Sequence, residues 1–215
     1  MPTNAHIVVG IDVGGPKKGF HAVALHAGQF VDKRAFSDAA SAAAWCRQIG
    51  AQAVGVDAPC RWSLNGRSRP AERALAAEKI HSFSTPSRAA AENRDFYRWM
   101  FNGAELYRLL EFHYRLFDGR NVGIAPVVFE TFPQAVACTL AGKIVSAKKK
   151  STVRRALLAG AGFDIALLTN IDTVDAALCA LTAQYLLAKE FKAYGDATEG
   201  FIVVPRIASH NLPRC

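Results

Sequence analysis

A strand that ends in a buried carboxylate sets the strongest condition on how this chain folds. Residues 6–15 form an apolar run that reaches Asp12 and then Gly14 and Gly15. Such a run is typical of a strand buried on both faces. Side chains alternate along a strand, so Gly10 and Asp12 are expected on the same face. A charge in that position is costly unless a cation or hydrogen bonds compensate it.

The same pattern occurs a second time, at residues 53–59, where Gly55 and Asp57 end another apolar strand. Residues 38–49, between the two strands, have the small-residue pattern of a helix that Ser37 or Asp38 can cap. A helix between two strands is a crossover connection, so the two strands are predicted to lie parallel. Either aspartate alone is ambiguous, but two such strand ends in one small chain favour metal or ligand binding.

The remaining elements predict an α/β fold with a mixed sheet. Further strands are predicted at residues 20–26, 29–36, 127–133 and 200–204. The first two of these complete an antiparallel meander with the first strand. Further helices are predicted at residues 71–79, 89–117, 133–141 and 172–191. A helical segment around residues 71–118 is expected as an insertion, and packing is favoured over base stacking for its many aromatic side chains.

Charge and length describe a basic globular protein. The 215 residues carry 26 Lys and Arg against 18 Asp and Glu, which gives a net charge of +8. A single domain over residues 1–215 is expected at this length. The basic balance suits a polyanion, and nucleic acid is the partner that we expect, with a generically basic protein as the equal alternative.

Cysteine usage and hydropathy bear on the compartment. Five scattered cysteines without a CxxC pair indicate a reducing compartment and argue against a structural zinc site. No apolar run approaches the roughly 18 residues of a membrane span, and no leader pattern is present. We therefore expect a cytoplasmic protein without membrane contact. Cys215 and the aromatic helices are candidates for an interface, so a homodimer stays open.

Carboxylates lie at the ends of several predicted elements, namely Asp12, Asp57, Glu130, Asp172 and Asp175. If the parallel strands are neighbours, their carboxyl ends meet at one sheet edge, where the acids repel one another unless divalent cations lie among them. Oxygen-only ligands suit Mg²⁺ or Mn²⁺. Local alternatives stay open, because Asp172 and Asp175 also suit the first turn of a helix, as N-cap and N3 residues. Glu130 can likewise bond the turn that follows it.

Basic residues suited to a phosphate backbone form three groups. The candidate substrate-binding residues are Arg61, Arg69, Lys17, Lys148, Lys149 and Arg154. The first two lie in a long loop after the second Asp-ending strand, where open α/β sheets bind ligands. The last three belong to a basic segment at residues 148–155, which is also typical of a solvated helix start.

Four motifs occur in the order of a known family. They are Gly-Ile-Asp-Val-Gly-Gly at residues 10–15, Gly-Val-Asp-Ala-Pro at 55–59, Phe-Glu-Thr-Phe-Pro-Gln-Ala at 129–135 and Asp-Thr-Val-Asp-Ala-Ala-Leu-Cys-Ala-Leu-Thr-Ala at 172–183. Together they resemble the family called domain of unknown function 429, whose members are described as predicted nucleases with a ribonuclease H-like fold. The similarity covers roughly residues 7–190.

The resemblance implies a five-stranded mixed sheet of order 3-2-1-4-5, flanked by helices. It also implies that Asp12, Asp57 and Asp175 are metal ligands, with Glu130 as a ligand or as the base that orients water. One departure from true ribonucleases H is that the helix at residues 38–49 offers no inward glutamate. Because the nuclease label is itself inferred from fold, it transfers with limited force.

The leading hypothesis is a Mg²⁺- or Mn²⁺-dependent nuclease whose catalytic carboxylates are the four residues just named. Two alternatives are kept. The turn from Asp12 through Gly15, followed by Lys17 and Lys18, is similar to the phosphate-binding turn of sugar kinases and actin-like ATPases, which predicts a phosphate- or nucleotide-binding protein. A non-catalytic nucleic-acid-binding protein would depend on the basic segment instead, with structural acids.

Overall fold

The computed structural model describes residues 5–123 and 125–207. Cys215, considered above for a dimer contact, lies outside the described residues. The strands are β1 (Ile7–Val13), β2 (Phe20–His26), β3 (Gln29–Phe36), β4 (Ala53–Asp57), β5 (Arg115–Leu116), β6 (Val127–Thr131), β7 (Phe191–Asp196) and β8 (Gly200–Pro205). The helices are α1 (Ala39–Gln48), α2 (Pro70–Ala77), α3 (Arg88–Ala91), α4 (Arg98–Leu110), α5 (Pro133–Ala141), α6 (Lys150–Gly160) and α7 (Ile171–Leu187).

One mixed sheet runs through the described residues in the order β3-β2-β1-β4-β6-β8-β7, and β5 pairs with β6 off this path. Strand β1 is antiparallel to β2 and parallel to β4, which is parallel to β6. The mixed α/β class is therefore confirmed, as is the parallel crossover between the two Asp-ending strands. The expected count and order of a five-stranded sheet are not matched, because β5, β7 and β8 enlarge the sheet to eight strands.

Strand β7 accounts for much of this difference. We predicted a helix as far as residue 191, but α7 ends at Leu187 and Lys189 adopts a left-handed conformation with φ 61°. A left-handed residue terminates a helix, so the chain turns and enters an antiparallel hairpin of β7 and β8. The carboxylate of Asp196 closes that hairpin by accepting hydrogen bonds from the backbone N–H groups of Thr198 and Glu199.

Two apolar layers cover the faces of the sheet. Alternate residues of β1 face opposite sides, as expected for a buried strand. Val9 and Ile11 pack with α1 and α4, whereas Val8 packs with α7 and the helices beside it. Gly10 and Gly55 also face α7, because a Cβ added at either residue would approach the backbone of that helix. The face that carries the two glycines is therefore the face on which α7 packs.

Several predicted helix boundaries are confirmed. Asp38 caps α1 by accepting a hydrogen bond from the backbone N–H of Ser41, at 2.8 Å. Pro133 opens α5, and Gly142 ends it in the left-handed conformation.

Within the described residues, no helix is both long and apolar enough to cross a membrane.

The aromatic segment is less continuous than predicted. The helix expected over residues 89–117 divides into α3, a short 3-10 turn at Asp95–Tyr97, α4 and the short strand β5. Tyr107, Tyr114 and Phe117 are buried, as the packing interpretation requires. Two other rings predicted to pack, Phe96 and Phe112, are largely exposed.

Candidate functional site

A pocket of about 280 Å³ opens at the carboxyl ends of β1, β4 and β6. This is the edge where open α/β sheets bind ligands. Asp12 is the penultimate residue of β1 and Asp57 is the last residue of β4, and the two residues are direct register partners across the parallel pair. Register partners on parallel strands point to the same side of the sheet, so both carboxylates lie on the α7 face.

The glycines of β1 and β4 bring helix α7 to these carboxylates. A Cβ on Gly10 would lie 2.1 Å from the backbone of Ala176 and Ala180, and one on Gly55 would lie 2.7 Å from the Cys179 carbonyl. These distances leave no room for any side chain, so the helix backbone rests directly on the strands. One turn towards the start of the helix, Asp175 enters the same pocket as the two strand aspartates.

Burial and mutual repulsion raise the pKa values of the three acids. Burial, with Asp175 and Asp172 nearby, raises the pKa of Asp12 from 3.8 to about 7. The pKa of Asp57 lies well above its usual range because of burial and the charges of Asp12 and Asp175. Burial also raises the pKa of Asp175, against the opposing effect of Arg154. The pocket therefore concentrates negative charge when all three groups are ionised.

Basic side chains form ion pairs with some of the acids in the pocket and not with others. Arg154 forms an ion pair with Asp175 and donates a second hydrogen bond to Gln134 Oε1 at 3.1 Å. The Nζ atom of Lys150 lies 3.8 Å from Asp175 Oδ2. Within the part of the chain that the structure describes, the carboxylates of Asp12 and Asp57 have neither a hydrogen bond nor a salt bridge, although Lys18 and Lys150 act on Asp12, and Arg154 on Asp57, from a longer distance. The two strand aspartates are thus acids of the pocket without a direct ion-pair partner.

The cap of α7 is not the aspartate considered above. Asn170 is the N-cap, and its side chain accepts from the Thr173 N–H at 2.8 Å while the Thr173 hydroxyl group accepts from the Asn170 N–H. Asp172 is left free to accept a hydrogen bond from Lys18 Nζ at 3.0 Å. The N-cap interpretation of Asp172 is therefore wrong, because asparagine two residues earlier already satisfies the helix end.

Glu130 lies in the lining of the pocket but is held by other groups. Its two oxygens accept hydrogen bonds from the guanidinium of Arg69 at 2.8 and 2.5 Å, and from the Cys60 N–H at 2.8 Å. Arg69 also donates to Glu72 at 2.9 Å and is only 1% exposed. This buried cluster fixes the loop between β4 and α2 against β6.

The predicted basic residues are dispersed around the molecule. Arg154 and Arg69 line the pocket. Arg61 instead forms a two-point ion pair with Glu111 and lines a neighbouring cleft. In the described structure, three others are exposed outside the lining of the pocket, namely Lys17, Lys148 and Lys149.

Two lysines of the pocket belong to the predicted basic segments but were not among the individual residues selected from them. Lys18 and Lys150 line the pocket, each one residue beyond a lysine that we selected. The basic composition of both segments could signal the region, but not which lysine turns inward. That choice depends on Asp172 and Asp175, which are 154 and 25 residues away along the chain.

The donor set determines which cation suits the pocket. Carboxylate oxygens suit Mg²⁺ or Mn²⁺, and the neighbouring uncompensated aspartates are of that kind. Among the described residues, no group of three or more His, Cys, Asp or Glu side chains is arranged to hold a metal ion. The third candidate, Asp175, is paired with Arg154. The carboxylates therefore have the donor atoms that a hard divalent cation prefers. Asp12 and Asp57 have no ion-pair partner in the described structure, whereas Asp175 is paired with Arg154.

These features define an α/β protein with an acidic pocket at the carboxyl edge of its parallel strands. The chain belongs to the family described as "Protein of unknown function (DUF429)", whose model matches residues 10–199. The family resemblance is therefore confirmed, while its nuclease and ribonuclease H-like label stays a prediction. Comparisons with curated proteins and with solved structures gave no match.

Proposed function

We propose that this protein hydrolyses phosphodiester bonds in nucleic acid with the help of Mg²⁺ or Mn²⁺. The observation that carries the proposal is the pairing of Asp12 with Asp57 at adjacent strand ends. In the described structure neither carboxylate accepts a hydrogen bond or forms a salt bridge, and the pKa of each is raised. Two neighbouring half-buried carboxylates without an ion-pair partner are unfavourable alone and favourable around a cation.

Asp12, Asp57 and Asp175 are the proposed ligands. Bound divalent ions would activate a water molecule and stabilise the leaving oxygen of a phosphodiester. Lys150 and Arg154 are placed to bind phosphate oxygens, since both line the same pocket. The Nε atom of Arg154 is buried and has no hydrogen-bond partner in the described structure, so it has an unused donor for such an oxygen.

Glu130 has a different role in this proposal from the one expected above. Its oxygens already accept three hydrogen bonds, two of them from the buried guanidinium of Arg69. A carboxylate that is neutralised in this way has little tendency to bind a metal ion. We therefore place it as a support for the loop beside the pocket, and the ligand or base assignment becomes the less favoured alternative.

The nucleotide-binding alternative has one supporting observation, since Lys18 of the glycine-containing turn lines the pocket. Against it, three backbone donors of the turn are used within the turn: the Gly14 N–H bonds the Gly19 carbonyl at 2.8 Å, and the Lys18 and Gly19 N–H groups bond the Gly15 carbonyl. Donors that are used within the turn are not available to cradle a phosphate. Titration with ATP tests this alternative directly.

The experiment is calorimetric titration with Mn²⁺ of the wild type and of the Asp12→Asn/Asp57→Asn double variant. Wild type is expected to bind Mn²⁺ and the double variant to lose this binding, because the neutral amide groups of asparagine do not balance the charge of the cation. Asp32→Asn is the matched control, since Asp32 lies on β3 with an exposed Arg34 partner and should bind as wild type does. Equal binding by wild type and the double variant would overturn the proposed site.

Cleavage of nucleic acid is measured next with the same variants. Wild type is expected to cut in the presence of Mn²⁺ or Mg²⁺ and to lose this activity with chelator. Metal binding without metal-dependent cleavage would instead favour the non-catalytic nucleic-acid-binding alternative.

A further inference from the structure

Exposed aromatic side chains stand at the mouth of the acidic pocket. Phe83 and Trp99 line the pocket, and Phe96 extends the cluster outwards. The Phe83 ring centroid lies 5.5 Å from that of Phe96 and 6.3 Å from that of Trp99. Phe83 is 62% exposed and Phe96 is 58% exposed. We call these three residues the aromatic rim.

The segment that carries Phe83 is anchored just after the ring. Ser84 Oγ lies 2.6 Å from Ser68 Oγ, and the Thr85 N–H donates to the buried carboxylate of Glu72 at 3.1 Å. The carbonyl of the next residue, Pro86, accepts from the Ser63 N–H at 3.1 Å. These contacts hold the backbone beside Phe83 in place, so the exposed position of the Phe83 ring at the pocket mouth is determined by the fold.

Positive side chains line the same pocket as the aromatic rim. Lys18, Lys150 and Arg154 lie among its walls, and the buried Arg154 Nε has no partner in the described part of the chain. A ligand that satisfies both features needs flat apolar faces and closely spaced anions. Nucleic acid joins the two, since bases stack on aromatic rings while basic residues bind the backbone.

We propose that the pocket takes single-stranded nucleic acid, with an unpaired base stacked on the aromatic rim and the adjoining phosphate against Lys150 and Arg154. The inference rests on the proposed function and names its substrate class. Bases of a duplex are stacked on one another and cannot cover the rim, whereas an unpaired base has a free face. The strand would then enter the pocket past Phe83 towards Asp12 and Asp57.

The test is fluorescence anisotropy with labelled oligothymidylate, oligouridylate and a DNA duplex, in chelator so that nothing is cut. Phe83→Ala and Phe96→Ala are each expected to weaken single-strand binding about 10-fold, the effect of removing one stacking ring. Phe83→Tyr keeps a ring and should restore binding. Phe112→Ala is the matched control, because Phe112 is 71% exposed and lies outside the pocket lining in the described structure.

The phosphate contact has its own readout. Lys150→Gln should reduce the slope of log affinity against log salt by about 0.7, the change for one contact to a single strand. Tighter binding of the duplex, or equal effects of Phe112→Ala and Phe83→Ala, would overturn the inference.

Failure of the inference is distinct from failure of the proposed function. If the rim variants bind oligonucleotides normally while Asp12→Asn/Asp57→Asn loses Mn²⁺, the substrate class is wrong and the metal site stands. If the rim variants lose oligonucleotides and wild type binds no Mn²⁺, the binding surface stands and the catalytic proposal is wrong. A rim variant that changes only self-association, measured by sedimentation, would overturn the inference by showing that a second copy of the chain covers the rings.

Discussion

At the scale of single residues, the unusual feature is a pair of like charges placed side by side. Asp12 and Asp57 are register partners, and burial and the charges of neighbouring acids raise the pKa of each carboxyl group. Without a counter-ion, two neighbouring carboxylates do not stabilise the folded state. Carboxylates kept in so unfavourable a position are more readily explained by ligand binding than by stability.

The pH dependence of stability tests the charge on Asp12. Its pKa is about 7 in the folded protein against 3.8 ordinarily, so the folded state binds more protons between these values. The contribution of the Asp12 carboxyl group to the free energy of unfolding is therefore greatest below about pH 4 and falls as the pH rises towards 7. In chelator, Asp12→Asn should raise the free energy of unfolding at pH 8 by up to about 4 kcal/mol, and much less at pH 4.

Thermal melting of the metal-free protein at the two pH values measures this difference. Asp32→Asn is expected to show no such pH-dependent gain, since Asp32 is not part of the pocket. A gain for Asp12→Asn that is the same at both pH values would contradict a raised pKa. Added Mn²⁺ should raise the melting temperature of wild type more at pH 8 than at pH 5, because protonated carboxyl groups bind cations poorly.

At the scale of elements, the contact of α7 with the sheet determines whether the site exists. The helix rests on Gly10 and Gly55, and Asp175 reaches the pocket only at this distance. Gly10→Ala should destabilise the protein by about 3 kcal/mol or more, because the new Cβ meets helix backbone that cannot yield locally. Urea unfolding measures the loss, and Mn²⁺ affinity should fall with it.

Gly160→Ala is the control for that substitution. Gly160 lies in α6, where an added Cβ would meet open space and the φ angle is not positive, so alanine should be neutral or stabilising by about 0.5–1 kcal/mol. Similar losses for the two glycines would mean that the close approach of α7 does not limit stability.

The sequence predicts elements whose signals are local. The glycine–apolar–aspartate pattern marks β1 and β4, and the N-cap Asp38 of α1 and the first residue Pro133 of α5 lie where predicted. Strand β7 was missed because no glycine or proline follows Leu187 before Gly195, and only the left-handed Lys189 separates helix from strand. The long-range ion pair of Lys18 with Asp172 could not be predicted, because nothing in the sequence of either segment identifies the other as its partner.

At the scale of the whole molecule, Arg69 joins several distant parts of the fold. Its guanidinium bonds Glu72 of α2, Glu130 of β6 and the backbone carbonyl of Glu199 before β8. The loop after β4, the edge hairpin and the floor of the pocket are thereby held by one buried cation. A buried cation with two carboxylates tolerates the loss of a partner poorly.

Arg69→Met should therefore destabilise the protein by about 3–5 kcal/mol, because it leaves Glu72 and Glu130 buried without their cation. Arg108→Met is the matched control, since Arg108 is paired only with the exposed Glu105 and should leave stability almost unchanged. Urea unfolding compares the two variants. Folded Arg69→Met, studied at low temperature, should keep its Mn²⁺ affinity within a few-fold if Glu130 supports the loop. A gain in Mn²⁺ affinity on freeing Glu130 would instead return that carboxylate to the ligand set.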